Sequence, residues 1–188
     1  MNITERIKGI LLRPKEEWQI IAGETTSIAE LYKNYIILLA AIGPVASFIG
    51  MSLVGVGLPG GGAYRVSITT GIISAVVQYV LTLVSVYILA FIIDALAPTF
   101  SGEKNLSQAF KLAAYSYIPG WLVGVFALIP ALRILGILGL YGLYLLYLGL
   151  PVLMKSPKEK STGYTVAVII AAIIIFVVIG AISRVFIS

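Results

Sequence analysis

Residues 68–97 read ITTGIISAVVQYVLTLVSVYILAFIIDALA, an apolar run whose one ionisable carboxylate, Asp94, comes near its end. The hydrocarbon core of a bilayer is about 30 Å thick, and a helix rising 1.5 Å per residue needs roughly 20 residues to cross it. This run is long enough, and a helix satisfies every backbone polar group within the segment, which lipid demands. The stretch is therefore a transmembrane helix. Working outward, similar runs occupy 32–56 before it and 112–129, 134–154 and 164–186 after it, each bounded by charge, proline or glycine. The expectation is an all-α integral membrane protein with five transmembrane helices and an N-terminal interfacial amphipathic segment over residues 1–31.

Composition agrees with this. Hydrophobic residues make up 60% of the chain and charged ones 11%, against roughly 25% charged in a soluble domain, and the mean hydropathy is +1.04. A water-facing surface could not be covered with so few charges. No cysteine or histidine occurs, which excludes disulfides, thiolate zinc sites, histidine-ligated haem and His-dependent catalytic triads. No secretory signal is read at the N-terminus, where acidic residues are mixed with the basic ones.

The joints are legible too. Gly57-Leu58-Pro59-Gly60-Gly61-Gly62 stops one helix, and Pro98 closes the next. Pro130-Ala131-Leu132-Arg133 reads as a loop so short that the third and fourth spans form an antiparallel hairpin. The Lys and Arg residues divide ten to three between alternate sides of the membrane, the three being Arg65, Arg133 and Arg184. Short loops rich in Lys and Arg stay in the cytoplasm, so the N-terminus is expected inside and the C-terminus outside a cell membrane. The net charge of +5 lies beside hydrophobic runs, which suits anionic lipid headgroups on the cytoplasmic side rather than nucleic acid.

In residues 1–31, Ile3, Ile7, Ile10 and Leu11 fall on one helical face, with Arg6, Lys8 and Arg13 around the rest. Pro14 opens a second short helix in which Trp18 and Ile21 share a face. Pro14 and Trp18 are read as an interfacial anchor lying in the headgroup plane.

Candidate functional residues cluster in the second span. Ser67, Thr70, Ser74, Gln78, Thr82 and Ser85 recur every three or four residues, a polar stripe that either bonds to neighbouring helices or lines a hydrated path. Its Ser and Thr hydroxyls can also bond to carbonyls of the preceding turn, and the Gln78 amide cannot be fully satisfied that way. Asp94, with Tyr87 seven residues earlier on nearly the same face, is the intramembrane ionisable candidate. In the fourth span Gly136, Gly139, Gly142 and Gly149 form a side suited to close helix packing, opposite Tyr141, Tyr144 and Tyr147. No catalytic motif, metal-ligand set or cofactor cradle is present: there is no H-E-x-x-H, no P-loop and no nucleophile elbow.

Several stretches, taken in order, are similar to one family. Pro14, Glu17 and Trp18 make P-x-x-E-W, and Leu31-Tyr32 enters the first span. Ala114-Tyr115-Ser116-Tyr117-Ile118-Pro119 lies in the third, and Tyr141-Gly142-Leu143-Tyr144 through Leu150-Pro151 closes the fourth. The chain resembles the Yip domain family (Ypt/Rab-interacting membrane proteins) in its short prokaryotic form. The resemblance implies five spans and a cytoplasmic N-terminus. Here Tyr32 is followed by Lys33-Asn34 where the eukaryotic members continue with Gly-Pro, so their GTPase association is not carried over. The expected function is a non-enzymatic membrane protein that organises membrane or partner proteins through helix packing and self-association. The alternative is a small transporter or channel using the polar stripe.

Overall fold

In a computed structural model, residues 2–57 and 62–187 are described, with the side chains of all of these but 176, 179, 180 and 182–187. The chain opens with two short helices, α1 (Ile3–Leu12) and α2 (Pro14–Gly23). Asn2 caps α1, accepting from Thr4 N at 3.2 Å while the Glu5 carboxylate accepts from Asn2 N at 3.4 Å. Pro14 sits in the first turn of α2, where its missing N–H leaves nothing unpaired.

Four long helices follow: α3 (Ile28–Val54), α4 (Ile68–Phe100), α5 (Leu106–Leu128) and α6 (Pro130–Leu153), each long and apolar enough to cross a membrane. The chain continues as α7 (Lys158–Ile187), a helix of 30 residues. The fifth expected span falls on α7, partly on residues whose side chains are outside the described ones. A two-residue ladder, β1 (Val56–Gly57) with β2 (Ala63–Tyr64), closes the α3–α4 connection. The all-α class holds.

The helix ends follow from caps. Ser27 and Glu30 form a capping box at the start of α3, Ser67 accepts from Thr70 N at 3.2 Å, and Asn105 accepts from Gln108 N at 3.1 Å. The Asn105 cap starts α5 six residues before the apolar run at 112, because a helix begins where its first N–H groups find partners and not where hydrophobicity rises. α3 is irregular, with widened turns over Tyr32–Ile36 and Ile49–Val54 on either side of Pro44, which has no N–H to return to the preceding turn. It stops at Gly55, whose φ of +85° ends the helical path.

The expected loop 130–133 is corrected. Ile129 alone is extended, and the chain winds again at Pro130, since proline fits a first helical turn. Leu106–Val123 and Tyr141–Leu153 are α-helical, while Gly124–Leu128 and Pro130–Leu140 on either side of the joint are wound tighter. α4 packs against α5 and α7, α5 against α6, and α3 against α4 and the last turn of α5.

The outside is as apolar as the inside. Ile72, Val76, Val80 and Phe91 of α4 and Ile134 and Ile137 of α6 are exposed, which only a lipid surround tolerates. One end of the bundle gathers α1, α2 and the loops after α4 and α6. There Glu103 N donates to Met154 O at 2.8 Å, Lys155 pairs with Glu103 at 2.7 Å and Lys160 Nζ donates to Ser101 Oγ at 2.7 Å. This is the hairpin end of the bundle.

The α1–α2 hairpin does not lie flat on the bundle. The Tyr141 hydroxyl donates to Leu11 O at 2.9 Å, and the Trp18 ring stands directly over Gly149. Those two α6 residues are eight apart, roughly 12 Å along a helix, so the hairpin is inserted beside two turns of α6. Ile10, Trp18 and Ile21 are fully buried. Trp18, expected with its ring in the headgroup plane, is instead a core residue. Burial against Leu112, Tyr115 and Gly149 removes more ring surface from water than an interface can.

Candidate functional site

The polar residues brought closest together sit where the hairpin meets α5. Arg6, from α1, is 1% exposed and pairs with Glu17 and Glu24. Its guanidinium lies 5.4 Å from the centre of the Tyr115 ring, a cation–π contact that gains in a dry site. Tyr115 in turn meets Tyr35 edge-on at 5.5 Å and Trp18 at 6.4 Å. From α5, Lys111 is 2% exposed and donates to Ile21 O at 3.1 Å and to Glu24 O. Gln108 Nε2 donates to Ala22 O at 2.9 Å, beside it.

Burial alone would pull the Arg6 pKa down. The hydrogen bond to Glu24 and the fields of Tyr115, Glu24 and Glu17 outweigh it, so the group stays above its ordinary value and fully charged. Two cations face two carboxylates, so the cluster is neutral. The α2 C-terminus, whose carbonyls lack helical partners, is closed by the Lys111 ammonium and the Gln108 amide. Chemically this is a lock: every charge is committed to a partner. Among the described residues no three His, Asp or Glu side chains come together as metal ligands.

The cluster is hidden in the sequence as long as Arg6 is assigned to the polar side of α1. Yet Arg6 lies three residues after Ile3 and four before Ile10, inside the apolar arc. Glu17 and Ile21 of α2 and Glu24, which caps it, are likewise four and three residues apart. Opposite charges within the two apolar faces of one helical hairpin are the signal that pointed to it.

The second-span candidates are placed differently. Ser74 Oγ donates to Thr70 O at 2.7 Å, Thr82 Oγ1 to Gln78 O at 2.8 Å and Ser85 Oγ to Thr82 O at 2.8 Å, all within α4. Gln78 is exposed and has no side-chain partner among the described residues, so the stripe does not bond across to a neighbouring helix through it. Ser74 and Gln78 line a cavity of about 270 Å³ with Ser47, Ser52 and Arg133, which Thr82 does not line. Interhelical bonds come from tyrosines, of which Tyr117 of α5 bonds to Ser85 of the stripe, while Tyr32 OH donates to Leu83 O at 2.8 Å and Tyr79 OH to Ile37 O at 2.9 Å.

Asp94 is partly exposed at the hairpin end, with a buried Oδ1 that has no partner among the described residues. The Tyr164 hydroxyl caps the neighbouring Ile93 carbonyl. Tyr87, half exposed, packs edge-on against Phe110 at 4.9 Å rather than joining Asp94. Of the α6 glycines, a Cβ at Gly139 would sit 3.2 Å from Gly120 Cα, one at Gly142 would strike Ser116 O, and one at Gly149 would strike Trp18 and Leu112. Gly136 meets nothing within 4 Å. Pro14 is half-buried at the joint between α1 and α2.

A helical bundle with an apolar exterior, capped by a charged hairpin, defines the class: a multi-pass membrane protein. The Yip1 domain model matches residues 8–179, and the chain belongs to that family. It is similar to inner membrane protein YohC of Escherichia coli strain K12, 27% identical over 179 residues that cover 93% of this chain and 92% of the relative. The same figures hold for inner membrane protein YohC of E. coli O6:H1. No solved structure matches.

Proposed function

We propose that the chain is a non-enzymatic five-span protein of the cell membrane, N-terminus in the cytoplasm and C-terminus outside, that organises membrane or partner proteins. The observation that carries this reading is the buried Arg6–Glu17–Glu24–Lys111 lock. It makes the hairpin a fixed part of the bundle and so turns the hairpin end into one rigid platform.

The platform's rim is basic. Lys8, Lys15, Lys104 and Lys158 are exposed there, placed to meet anionic headgroups of the cytoplasmic leaflet. Arg6 is paired with Glu17 and Glu24, and Lys111 is held by the Ile21 and Glu24 carbonyls, an arrangement that favours a scaffold over a site that moves protons or ions. Self-association supplies the second half of the proposal: the exposed apolar helix faces offer contact area to another copy within the bilayer.

Two measurements test it. Light scattering on the purified full chain in detergent should give a discrete assembly larger than one chain. A monomer at every concentration, in detergent and in nanodiscs alike, removes self-association. A reporter fused after Ser188 should lie outside the cytoplasm and one inserted at Lys158 inside; both on one side would break the five-span reading.

A further inference from the structure

The eight acidic residues lie within 5–30, at 94, at 103 and at 159, all at the hairpin end of the bundle. The opposite end, where α3 ends, α4 begins and α5 turns into α6, carries Arg65 and Arg133 and no carboxylate in residues 31–93 or 104–158. Arg133 is exposed, has no acidic partner among the described residues, and lines three cavities, two of them walled in part by α3. One, of about 270 Å³, is walled by Ser47, Ser52, Ser74 and Gln78. The other, of about 570 Å³, runs along Val54–Gly57 and Pro130. Ser52 is 6% exposed, and its Oγ is buried without a hydrogen-bond partner in the wall of the first cavity. Arg65 lies against Gly55 and donates through Nε to Val54 O at 3.3 Å, beside the second.

An arginine fork with no anion, at a pocket that offers three serine hydroxyls and an amide between the apolar side chains of Phe48, Met51 and Val66, and no carboxylate, is an arrangement lacking its negative partner. Guanidinium donors match phosphate oxygens two at a time. The hydroxyls and the Gln78 amide suit the polar groups carried beside a phosphate. We infer that this end of the bundle binds a phosphate-bearing ligand, with Arg133 on the phosphate and Ser47, Ser74 and Gln78 on the polar group attached to it. Arg65 adds to the positive field at the mouth. The inference does not rest on the scaffold reading, since the site lies at the other end of the molecule. A phospholipid headgroup of the leaflet at that end and a soluble phosphate share this chemistry.

The absence of native cysteines allows a local readout. Ala75 lines the cavity, so Ala75→Cys places one thiol there, and its rate of modification is followed in the purified full chain in detergent. Micelles doped with phosphatidylglycerol should slow the modification severalfold, and diacylglycerol, which lacks the phosphate, should not. Adding Arg133→Gln should raise the lipid concentration needed for protection about tenfold, the loss expected for a charge-assisted pair of hydrogen bonds. Arg133→Lys, which keeps the charge but not the fork, should fall between, and Arg13→Gln, which removes an exposed arginine from the hairpin end, should change nothing. An unchanged melting temperature for Arg133→Gln shows that the effect is on binding. Protection by inorganic phosphate at the same site assigns a soluble ligand; protection by phosphatidylglycerol alone assigns the lipid. Equal protection by diacylglycerol, no protection by either phosphate source, or equal losses in Arg133→Gln and Arg13→Gln would overturn the inference.

Discussion

Arg6 shows how much a single side chain can hold. Removing one member of a buried ion pair leaves the other charged and unsolvated, which costs about 3–5 kcal/mol, whereas replacing both with apolar groups of similar volume is often neutral. Arg6→Met should therefore lower the melting temperature of the purified protein sharply, and Arg6→Met with Glu17→Met should recover most of the loss. If the double variant were as unstable as the single one, Arg6 would act through Glu24 and Tyr115 instead. The α6 glycines give a matched pair at the same scale. Gly142→Leu drives a side chain into the Ser116 carbonyl and should destabilise the bundle by about 1–3 kcal/mol or more. Gly136→Leu, with nothing within 4 Å of its Cβ position, should leave the melting temperature close to that of the parent. Spacing alone had placed both glycines on one packing side, and only the positions of Gly120 and Ser116 separate them.

At the scale of elements, the α1–α2 hairpin is the segment whose setting the sequence described least well. A helix resting in the headgroup plane exposes its backbone to water on one side and exchanges its amide hydrogens early. A hairpin wedged beside α6, with Trp18 fully buried, opens only with the bundle. Hydrogen exchange should find the amides of Trp18–Ile21 protected to the same degree as those of α5. Fast exchange there, with α5 protected, would return the hairpin to the surface. Trp18→Ala should cost about 3–5 kcal/mol for the same reason. The amphipathic period of α1 and α2 was plain, but a period tells which face is apolar and not what covers it.

At the scale of the whole molecule, the polar stripe of α4 separates a pocket at one end from a path through the protein. Ser74 and Gln78 line the cavity under Arg133 and Thr82 does not. Single cysteines at 74 and 78 should thus react with a water-soluble thiol reagent added from the Arg133 side, and one at 82 from neither side. Reaction at all three positions in folded protein would mean that water crosses the bundle, and would move the reading toward transport. The two ends differ in charge as well as in structure. Acidic side chains and the lysines collect at the hairpin end, and at the other end Arg65 and Arg133 have no acidic partner among the described residues.

The sequence by itself determined the membrane, the all-α class, the long apolar helices and the family, because each rests on composition, run length or ordered motifs carried along the chain. It located the caps only in part: Asn105 began α5 ahead of the apolar run, and Pro130 wound into α6 instead of turning. The tertiary structure decided that Arg6, Glu17, Glu24 and Lys111 are buried partners and that Trp18 is core. It also decided that Gln78 faces a cavity shared with Arg133. Those facts depend on which helices lie side by side, and hydrophobic periodicity constrains the faces of a helix without naming its neighbours.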